Sequence, residues 1–184
     1  NVIIFHEPAT VAGTRFLTVE NAESDDDQWI YLPALKRVRR IAASEGGNSF
    51  MGTDFSYDDL RSLDIEEYNH TLLREERYAE RPTYVVEVVA KDPADSNYGR
   101  IVQWVDRERW IPLKIEFYDK NDELLKVNTV GRVEEVQGFW TIINNTMENV
   151  RTNHRTELAV QRFVYDESLP NGLFTTNFLE TGRP

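Results

Sequence analysis

The sequence contains no cysteine. Disulfide frameworks, thiolate metal sites and cysteine nucleophiles are therefore excluded, while both reducing and oxidising compartments stay open. It also lacks any apolar run approaching the roughly 20 residues that span a bilayer. The opening residues have neither the basic region nor the length of a signal peptide. The sequence therefore predicts no transmembrane segment.

Positive charge is in short supply, with 21 lysines and arginines against 32 aspartates and glutamates and a formal net charge of -11. Such a chain repels nucleic acid and anionic membrane surfaces on average, so no nucleic-acid partner is predicted. Neutral, apolar or locally basic partners are favoured instead. With 184 residues, of which 40% are hydrophobic, the chain is long enough for one substantial core and predicts a single domain.

Runs rich in valine, isoleucine, threonine and aromatic residues alternate with clusters of aspartate, asparagine, glycine and proline. This pattern predicts an antiparallel meander with hairpin turns, for example at 106–109, 119–122 and 137–138. So many strands exceed an ordinary flat sheet and indicate curvature. The predicted strands are Val2–Phe5, Thr14–Val19, Gln28–Leu32, Arg37–Ile41, Tyr84–Ala90, Ile101–Asp106, Ile111–Tyr118, Glu123–Glu134, Phe139–Asn149 and Arg155–Val164.

Helical signals are few. The clearest covers Ser56–Leu63, where Ser56 is a capping residue and Asp59 occupies the position that completes a capping box. A second, Leu173–Leu179, places four apolar side chains near helical spacing and follows a Pro-Asn-Gly turn. We expect a short helix at the first site and a C-terminal packing turn at the second.

Alternation within the strands predicts a sheet with one apolar face. In the strand that begins at Ile111, the residues Leu113, Ile115 and Phe117 point one way while charged residues point the other. Val86 and Val88 show the same period less cleanly. A one-sided sheet must cover its apolar face with helices, a second sheet or a ligand. Because helices are scarce, a ligand cavity and a second packed sheet both fit the pattern.

Motifs for catalysis or cofactors are weak. The glycine-rich stretch 45–53 lacks the Gly-Lys-Ser/Thr ending of a phosphate-binding loop, and the surroundings of Ser49 miss a nucleophile elbow by one residue. The three histidines lie far apart and show no metal-ligand spacing. We therefore predict no catalytic residue, no metal and no cofactor, and expect that the protein is not an enzyme.

A basic island at 36–40 stands out in this acidic chain. Lys36, Arg37, Arg39 and Arg40 form either one charged face of a strand, a contact for acidic partner surfaces or lipid headgroups, or, less favoured, a nucleic-acid contact. Aromatic residues and a methionine flank the island. They fit either a plain core or an adaptable apolar pocket. These residues are Trp29, Tyr31, Phe50, Met51 and Phe55.

Several separated motifs resemble the LolA-like outer-membrane lipoprotein-sorting proteins. The resemblance is strongest from Asp26 to Leu60, with Trp-Ile-Tyr-Leu-Pro-Ala-Leu at 29–35, Lys-Arg-Val-Arg-Arg-Ile at 36–41 and Phe-Met-Gly-Thr-Asp-Phe-Ser-Tyr-Asp at 50–58. Later elements at 110–114 and 169–174 follow in the same order. The match covers nearly the whole chain.

This resemblance implies a mainly β (α+β) fold in which a strongly curved antiparallel sheet forms an open, unclosed β-barrel, with a few short helices over its concave face. It also implies a periplasmic carrier that holds acyl chains of lipoproteins or lipids for transfer towards the outer membrane. The expected partners are a lipidated protein or lipid, an inner-membrane transporter and an outer-membrane acceptor. Cavity or gate residues are expected at Trp29, Tyr31, Phe50, Met51, Phe55, Val86, Val88, Leu113, Ile115 and Phe117.

Relatives in this family begin with a signal peptide, a long amphipathic helix and further strands, whereas this chain opens inside a strand at Val2. We therefore expect residues 1–184 to form a single LolA-like domain without that helix and those strands, and a signal peptide in the precursor. An exposed sheet edge near the N-terminus is then expected to pair with a second copy. Two alternatives stay open, a lipid- or protein-sensing module on the same scaffold and, less favoured, an ester hydrolase.

Overall fold

The structure, a computed structural model, describes residues 1–21, 26–62, 65–94 and 96–184. In these residues the chain forms eleven strands, four short 3-10 turns and one α-helix. The strands are β1 Val2–Ile4, β2 Arg15–Val19, β3 Asp27–Leu32, β4 Arg37–Arg40, β5 Tyr68–Tyr78, β6 Arg81–Ala90, β7 Arg100–Asp106, β8 Pro112–Tyr118, β9 Leu124–Val136, β10 Phe139–Asn149 and β11 His154–Ala159. The 3-10 turns are Ala43–Glu45, Asp58–Leu60, Ile65–Glu67 and Asn171–Phe174, and the helix α1 is Thr176–Thr181.

Both sheets are antiparallel meanders. A four-stranded sheet has the order β1-β2-β3-β4, and a seven-stranded sheet has the order β11-β10-β9-β8-β7-β6-β5. Neither sheet closes on itself, since β5 and β11 are the outer strands of the larger one. The predicted fold class, mainly antiparallel β with few short helices and no closed barrel, is confirmed. Among the described segments, none is a helix long and apolar enough to cross a bilayer.

Each of the ten predicted strands is present, but β5 was missed. Its sequence, Tyr-Asn-His-Thr-Leu-Leu-Arg-Glu-Glu-Arg-Tyr, shows no alternation because the pairing with β6 shifts register between Leu72 and Arg74. A bulge of this kind breaks the two-residue period on which strand prediction relies. β5 is also an edge strand whose side chains are mostly exposed on both faces. The last strand was predicted too long, since β11 ends at Ala159.

The predicted capping box at Ser56 forms. The backbone N–H of Ser56 donates to the Asp59 carboxylate at 2.6 Å, and the N–H of Asp59 donates to Ser56 Oγ at 3.4 Å. Only the turn Asp58–Leu60 follows it, so the helix is shorter than expected. Residue 63, where the predicted helix was to end, lies outside the described residues.

Helix α1 overlaps the predicted C-terminal packing segment Leu173–Leu179, extends two residues beyond it and has a defined start and stop. Thr175 caps its first turn, since its Oγ1 accepts from the N–H of Phe178 at 3.1 Å. Gly182 ends it in the left-handed region with φ 69°, a conformation that glycine adopts without a steric penalty. Phe178 and Leu179 are buried.

The chain divides into two compact units. The first consists of Asn1–Met51, Ser56–Ser62 and Asp166–Pro184, and holds the four-stranded sheet. Its core cluster contains Phe16, Ile30, Ile41, Phe50 and Tyr57. Phe50 lies 5.0 Å from Phe16 and 5.5 Å from Tyr57 between ring centroids, within the range of favourable aromatic pairs. Helix α1 contacts β2, β3 and β4, where Arg15 Nε donates to the carbonyl of Leu179 at 2.7 Å.

The second unit consists of Gly52–Phe55 and Leu63–Tyr165, and holds the seven-stranded sheet. Apolar side chains cluster on both of its faces because neighbouring residues of a strand point in opposite directions. One cluster contains Val88, Ile101, Phe117 and Met147, and the other contains Val85, Val102 and Trp104. Ion pairs accompany the second cluster, where Lys114 lies 2.6 Å from Glu116 and 4.3 Å from the Trp104 ring centroid.

A buried carboxylate fixes the β7–β8 hairpin of this unit. Asp106 is fully buried and accepts from Arg81 Nε at 2.8 Å and from the backbone N–H groups of Glu108 and Arg109 at 2.9 and 3.1 Å. Burial alone would raise the pKa of Asp106, but these hydrogen bonds outweigh it and hold the pKa below its usual value. The charged form of Asp106 is therefore part of the folded structure.

Acidic pH should remove the contribution of charged Asp106 to the stability of the fold. Because the folded-state pKa of Asp106 lies below the unfolded value of about 3.9, its stabilisation is complete above that value and is lost as pH falls through the folded pKa. Asp106→Asn should destabilise the protein by up to about 3 kcal/mol at neutral pH, and the difference should shrink in acid. Urea unfolding at several pH values measures it, with exposed Glu80→Gln as the control. An equal gap at neutral and acidic pH would show that the charge of Asp106 does not matter.

Candidate functional site

One apolar face of the seven-stranded sheet gathers side chains from β6, β7, β8 and β10. Val88 on β6 lies opposite Ile101 on β7, and Ile101 lies opposite Phe117 on β8. Met147 on β10 completes the group and is only 1% exposed. These four residues are called the sheet cluster below. The strand β9 lies between β8 and β10 and places the buried polar residues Lys126 and Asn128 beside this cluster.

Aromatic side chains from outside these four strands lie against the sheet cluster. They include Phe55, Tyr68 and Tyr98, all partly buried. The Tyr98 ring lies 5.0 Å from that of Phe117. Lys126, a buried cation on β9, has its Nζ 5.1 Å and 5.4 Å from the Tyr98 and Phe117 ring centroids. The apolar surface is therefore covered by the chain itself and has one cation beside it.

Phe55 reaches the sheet cluster from a short segment, Gly52–Phe55, which is called the latch segment below. Asp54 attaches this segment to β11, because Thr156 Oγ1 donates to the Asp54 carboxylate at 2.7 Å and accepts from the Asp54 N–H at 2.9 Å. His154 Nδ1 lies 2.8 Å from the same carboxylate. Lys126 Nζ donates to the Asp54 carbonyl at 3.4 Å.

The first residue of the latch segment is conformationally permissive. Gly52 has φ 79°, in the left-handed region that favours glycine, and a side chain added there would meet nothing within 4 Å. The segment thus combines a glycine at one end, an aromatic plug at the other and a small set of polar contacts between them.

Half of the predicted cavity residues come together at this site. The sheet cluster and the side chains packed on it include Phe55, Val86, Val88, Ile115 and Phe117. Leu113 is buried on the same strand as Ile115 and Phe117, but it is not a member of the cluster. The alternation of β6 and β8 thus identified this apolar face, but the prediction of a sheet with one apolar face was wrong, because Val85, Val102 and Trp104 cluster on the other face.

The other predicted cavity residues lie in the first unit. Phe50 is a core residue there, 6% exposed, and half-buried Met51 packs against the same core. Trp29 and Tyr31 are half-buried and alternate with the core residue Ile30, so they point to the opposite face of that sheet. Tyr31 stacks under Arg15, whose guanidinium carbon lies 4.3 Å from the ring centroid. These four residues do not form one group.

The basic island forms β4 and the turn before it. Lys36, Arg37, Arg39 and Arg40 are exposed. Arg39 is bound by Glu45 at 2.8 Å, and Arg40 pairs with Asp27. Hydrogen bonds from Arg39 and from the N–H of Ala42 hold the pKa of Glu45 below its usual value. Half of the basic side chains thus already have a carboxylate partner, and a headgroup or partner contact at this strand stays a prediction.

Sequence reasoning missed Ile101, Met147, Tyr98 and Lys126 as parts of the site. Ile101 and Met147 occupy strands whose apolar pattern is interrupted by polar residues such as Gln103 and Asn145. Lys126 reads as a solvent-facing residue, yet it lies opposite Phe117 in the β8–β9 ladder. These residues join the site through the register of the sheet, which the sequence alone does not reveal.

Comparison with known proteins agrees with this architecture. A protein-family model described as "Uncharacterized protein" matches residues 1–181. No curated protein matches the chain by sequence. The LolA superfamily protein NE2245 from Nitrosomonas europaea, at 21% identity and a TM-score of 0.73, covers 96% of this chain and 76% of its own, which shows a shared fold.

Two solved structures are more similar in sequence. A putative outer membrane lipoprotein-sorting protein domain from Vibrio parahaemolyticus has a TM-score of 0.92, with 97% of this chain and 76% of that one covered. A DUF1329 family protein from Desulfovibrio piger ATCC 29098 also has a TM-score of 0.92, with 97% and 75% covered. With 36% and 35% identity to these two structures, the chain belongs to the LolA-like family of outer-membrane lipoprotein-sorting proteins.

Proposed function

We propose that this protein is a periplasmic carrier that binds acyl chains of lipoproteins or lipids on the apolar face of its seven-stranded sheet, and that it acts by binding rather than by catalysis. The observation that carries the proposal is the cover of this face. A short segment held by side-chain hydrogen bonds places Phe55 on the sheet cluster. Family membership supports the same role, because the Vibrio parahaemolyticus relative is described as a lipoprotein-sorting protein domain.

The energetics favour exchange of the latch segment for a lipid. A 16-carbon acyl chain gains about 13 kcal/mol on leaving water, at about 0.8 kcal/mol per methylene. Exposing a phenylalanine fully costs about 1.5–3 kcal/mol, and Phe55 is only partly buried. Burial of an acyl chain can therefore offset the exposure of Phe55 and the loss of the Asp54 hydrogen bonds. Met147 and the surrounding rings suit a flexible hydrocarbon, since methionine adapts its shape to a ligand.

Release follows from the same competition. When the latch segment returns to the sheet cluster, it restores the contacts of Phe55 and the hydrogen bonds of Asp54 with Thr156. These contacts recover part of the acyl binding energy, so an acceptor needs to supply only the remainder. A reversible cover of this kind lets a carrier bind a greasy ligand without covalent chemistry.

Delivery requires partners. We propose that an inner-membrane transporter loads the carrier and that an outer-membrane acceptor unloads it. The exposed basic side chains of Lys36, in the turn before β4, and of Arg37, the first residue of β4, are suited to an acidic partner surface or to headgroups. The exposed outer strand β5 is suited to pairing with a second copy.

Lipid extraction tests the function directly. Protein purified without detergent should release close to one acyl lipid per chain into organic solvent, as measured by mass spectrometry. Ile115→Gln should reduce this yield and weaken binding of a fluorescent fatty acid at least about tenfold, because it places an amide on the apolar face. Leu73→Gln, at an exposed position of β5, is the control. The carrier proposal fails if wild-type protein neither carries acyl lipid nor binds the probe saturably.

The latch segment makes a separate prediction. Thr156→Val removes the hydroxyl that bonds Asp54 and should favour the open state, so the affinity for a fluorescent fatty acid should rise about twofold to tenfold. Thr129→Val, at an exposed position of β9, should leave the affinity unchanged. Stopped-flow fluorescence should show that the gain lies in faster binding. Unchanged affinity and rate in Thr156→Val would mean that the segment does not gate the site.

A further inference from the structure

Exposed aromatic side chains gather at one end of the seven-stranded sheet. Trp110 lies on the β7–β8 loop, Phe139 and Trp140 open β10, and Phe163 follows β11. Adjacent strands run in opposite directions, so the last residues of β7, the first residues of β10 and the last residues of β11 lie at the same end of the sheet. These four residues are called the aromatic end below. They are 70%, 50%, 41% and 37% exposed, respectively.

Trp110 is held outward in an unfavourable backbone conformation. Its φ is 56°, in the left-handed region that β-hairpins usually fill with glycine or asparagine. The buried Asp106 imposes this conformation, since it accepts from the N–H groups of Glu108 and Arg109 and its carbonyl accepts from the N–H of Trp110 at 2.9 Å. The Trp110 ring lies 6.0 Å from that of Tyr84, yet most of it stays exposed. A large apolar residue that is both strained and mostly exposed indicates a role in display.

The other rings are fixed by local contacts. Arg109 lies over Trp140, with its guanidinium carbon 4.2 Å from the ring centroid. Tyr165 packs between Phe139 at 4.9 Å and Phe163 at 5.9 Å, and its N–H donates to Gln137 Oε1 at 2.7 Å. The segment after β11 is thus tied to the β9–β10 hairpin. The aromatic end is preorganised, although its rings face solvent.

We propose that the aromatic end docks on the surface of a phospholipid bilayer. Phe139 and Trp140 are consecutive residues of β10 and point to opposite faces of the sheet. A protein partner bound to one face would leave the ring on the other face in water. If the whole aromatic end is immersed in the headgroup region, both rings leave the water. Tryptophan is enriched at that depth of the bilayer.

Two arginines at the aromatic end complement lipid phosphates. Within the described part of the chain, neither Arg109 nor Arg162 forms an ion pair with a carboxylate. Some acidic neighbours are paired, since Arg107 binds Glu75 and Arg132 binds Glu134, while exposed Glu135 lies opposite Trp140 in the β9–β10 ladder. The end therefore presents guanidinium groups beside aromatic rings in a chain of net charge -11. Because the phosphate is common to all phospholipids, docking should need no anionic lipid.

Vesicle flotation tests this proposal on the whole chain. Wild-type protein should float with phosphatidylcholine vesicles and show a blue shift of tryptophan fluorescence. Trp110→Ala/Trp140→Ala should lower the partition coefficient at least about tenfold, while Leu72→Ala, an exposed residue in the middle of β5, should leave it unchanged. The double variant should bind a fluorescent fatty acid as the wild type does, which separates docking from acyl binding.

A second variant separates loss of the Trp110 ring from loss of folding. Trp110→Gly removes the ring and its contact with Tyr84 but suits the left-handed backbone at this position, so the variant should stay folded and should bind vesicles more weakly. Wild-type protein that does not float with vesicles, or a folded Trp110→Gly variant that floats as the wild type does, would overturn the proposal. Self-association in sedimentation that the double variant abolishes would instead assign the aromatic end to a second copy.

Discussion

The apolar face of the seven-stranded sheet has to be kept from water, and much of this molecule can be understood from how that is done. The strand register places Val88, Ile101 and Phe117 side by side, and Met147 joins their cluster from β10 across the intervening strand β9. Helices are too short and too few in the described residues to cover such a face. Cover comes in part from aromatic side chains outside the strands, and one of them, Phe55, belongs to a segment that a few hydrogen bonds hold in place. The proposed function rests on the exchange of this cover for an acyl chain.

Buried polar groups set which parts of the second unit are rigid and which can move. Asp106 is fully enclosed, bound by a guanidinium and two backbone N–H groups, and its removal leaves several donors unsatisfied. The carboxylate of Asp54 instead contacts the Thr156 hydroxyl and exposed His154 on an outer strand, and its carbonyl accepts from Lys126. The first arrangement fixes the loop that carries Trp110. In the proposed mechanism, the contacts of Asp54 are the ones that an acyl chain displaces.

Prediction from sequence succeeded for strands that bury one face. It failed where the strand register, or the position of a strand at the outside of the sheet, determines the contacts of a residue. The alternation of β8 placed Ile115 and Phe117 correctly on the apolar face, and the capping box of Ser56 formed as expected. Strand β5 was not predicted because a bulge interrupts the two-residue alternation of its side chains. Phe50 and Tyr31 share the aromatic character of Phe55, but only the folded chain shows that they belong to the first unit. The resemblance to the LolA-like family was visible in the order of the sequence motifs and not in the composition.

Methionine NMR tests the central claim most directly. The chain has two methionines, and Met147 lies in the sheet cluster while Met51 packs against the core of the first unit. Titration with deuterated palmitate, observed through labelled methionine methyl groups, should shift the Met147 resonance saturably at one equivalent and leave Met51 nearly unchanged. This result would place the acyl chain on the seven-stranded sheet. A Met147 resonance that does not move, although palmitate binds, would contradict the account.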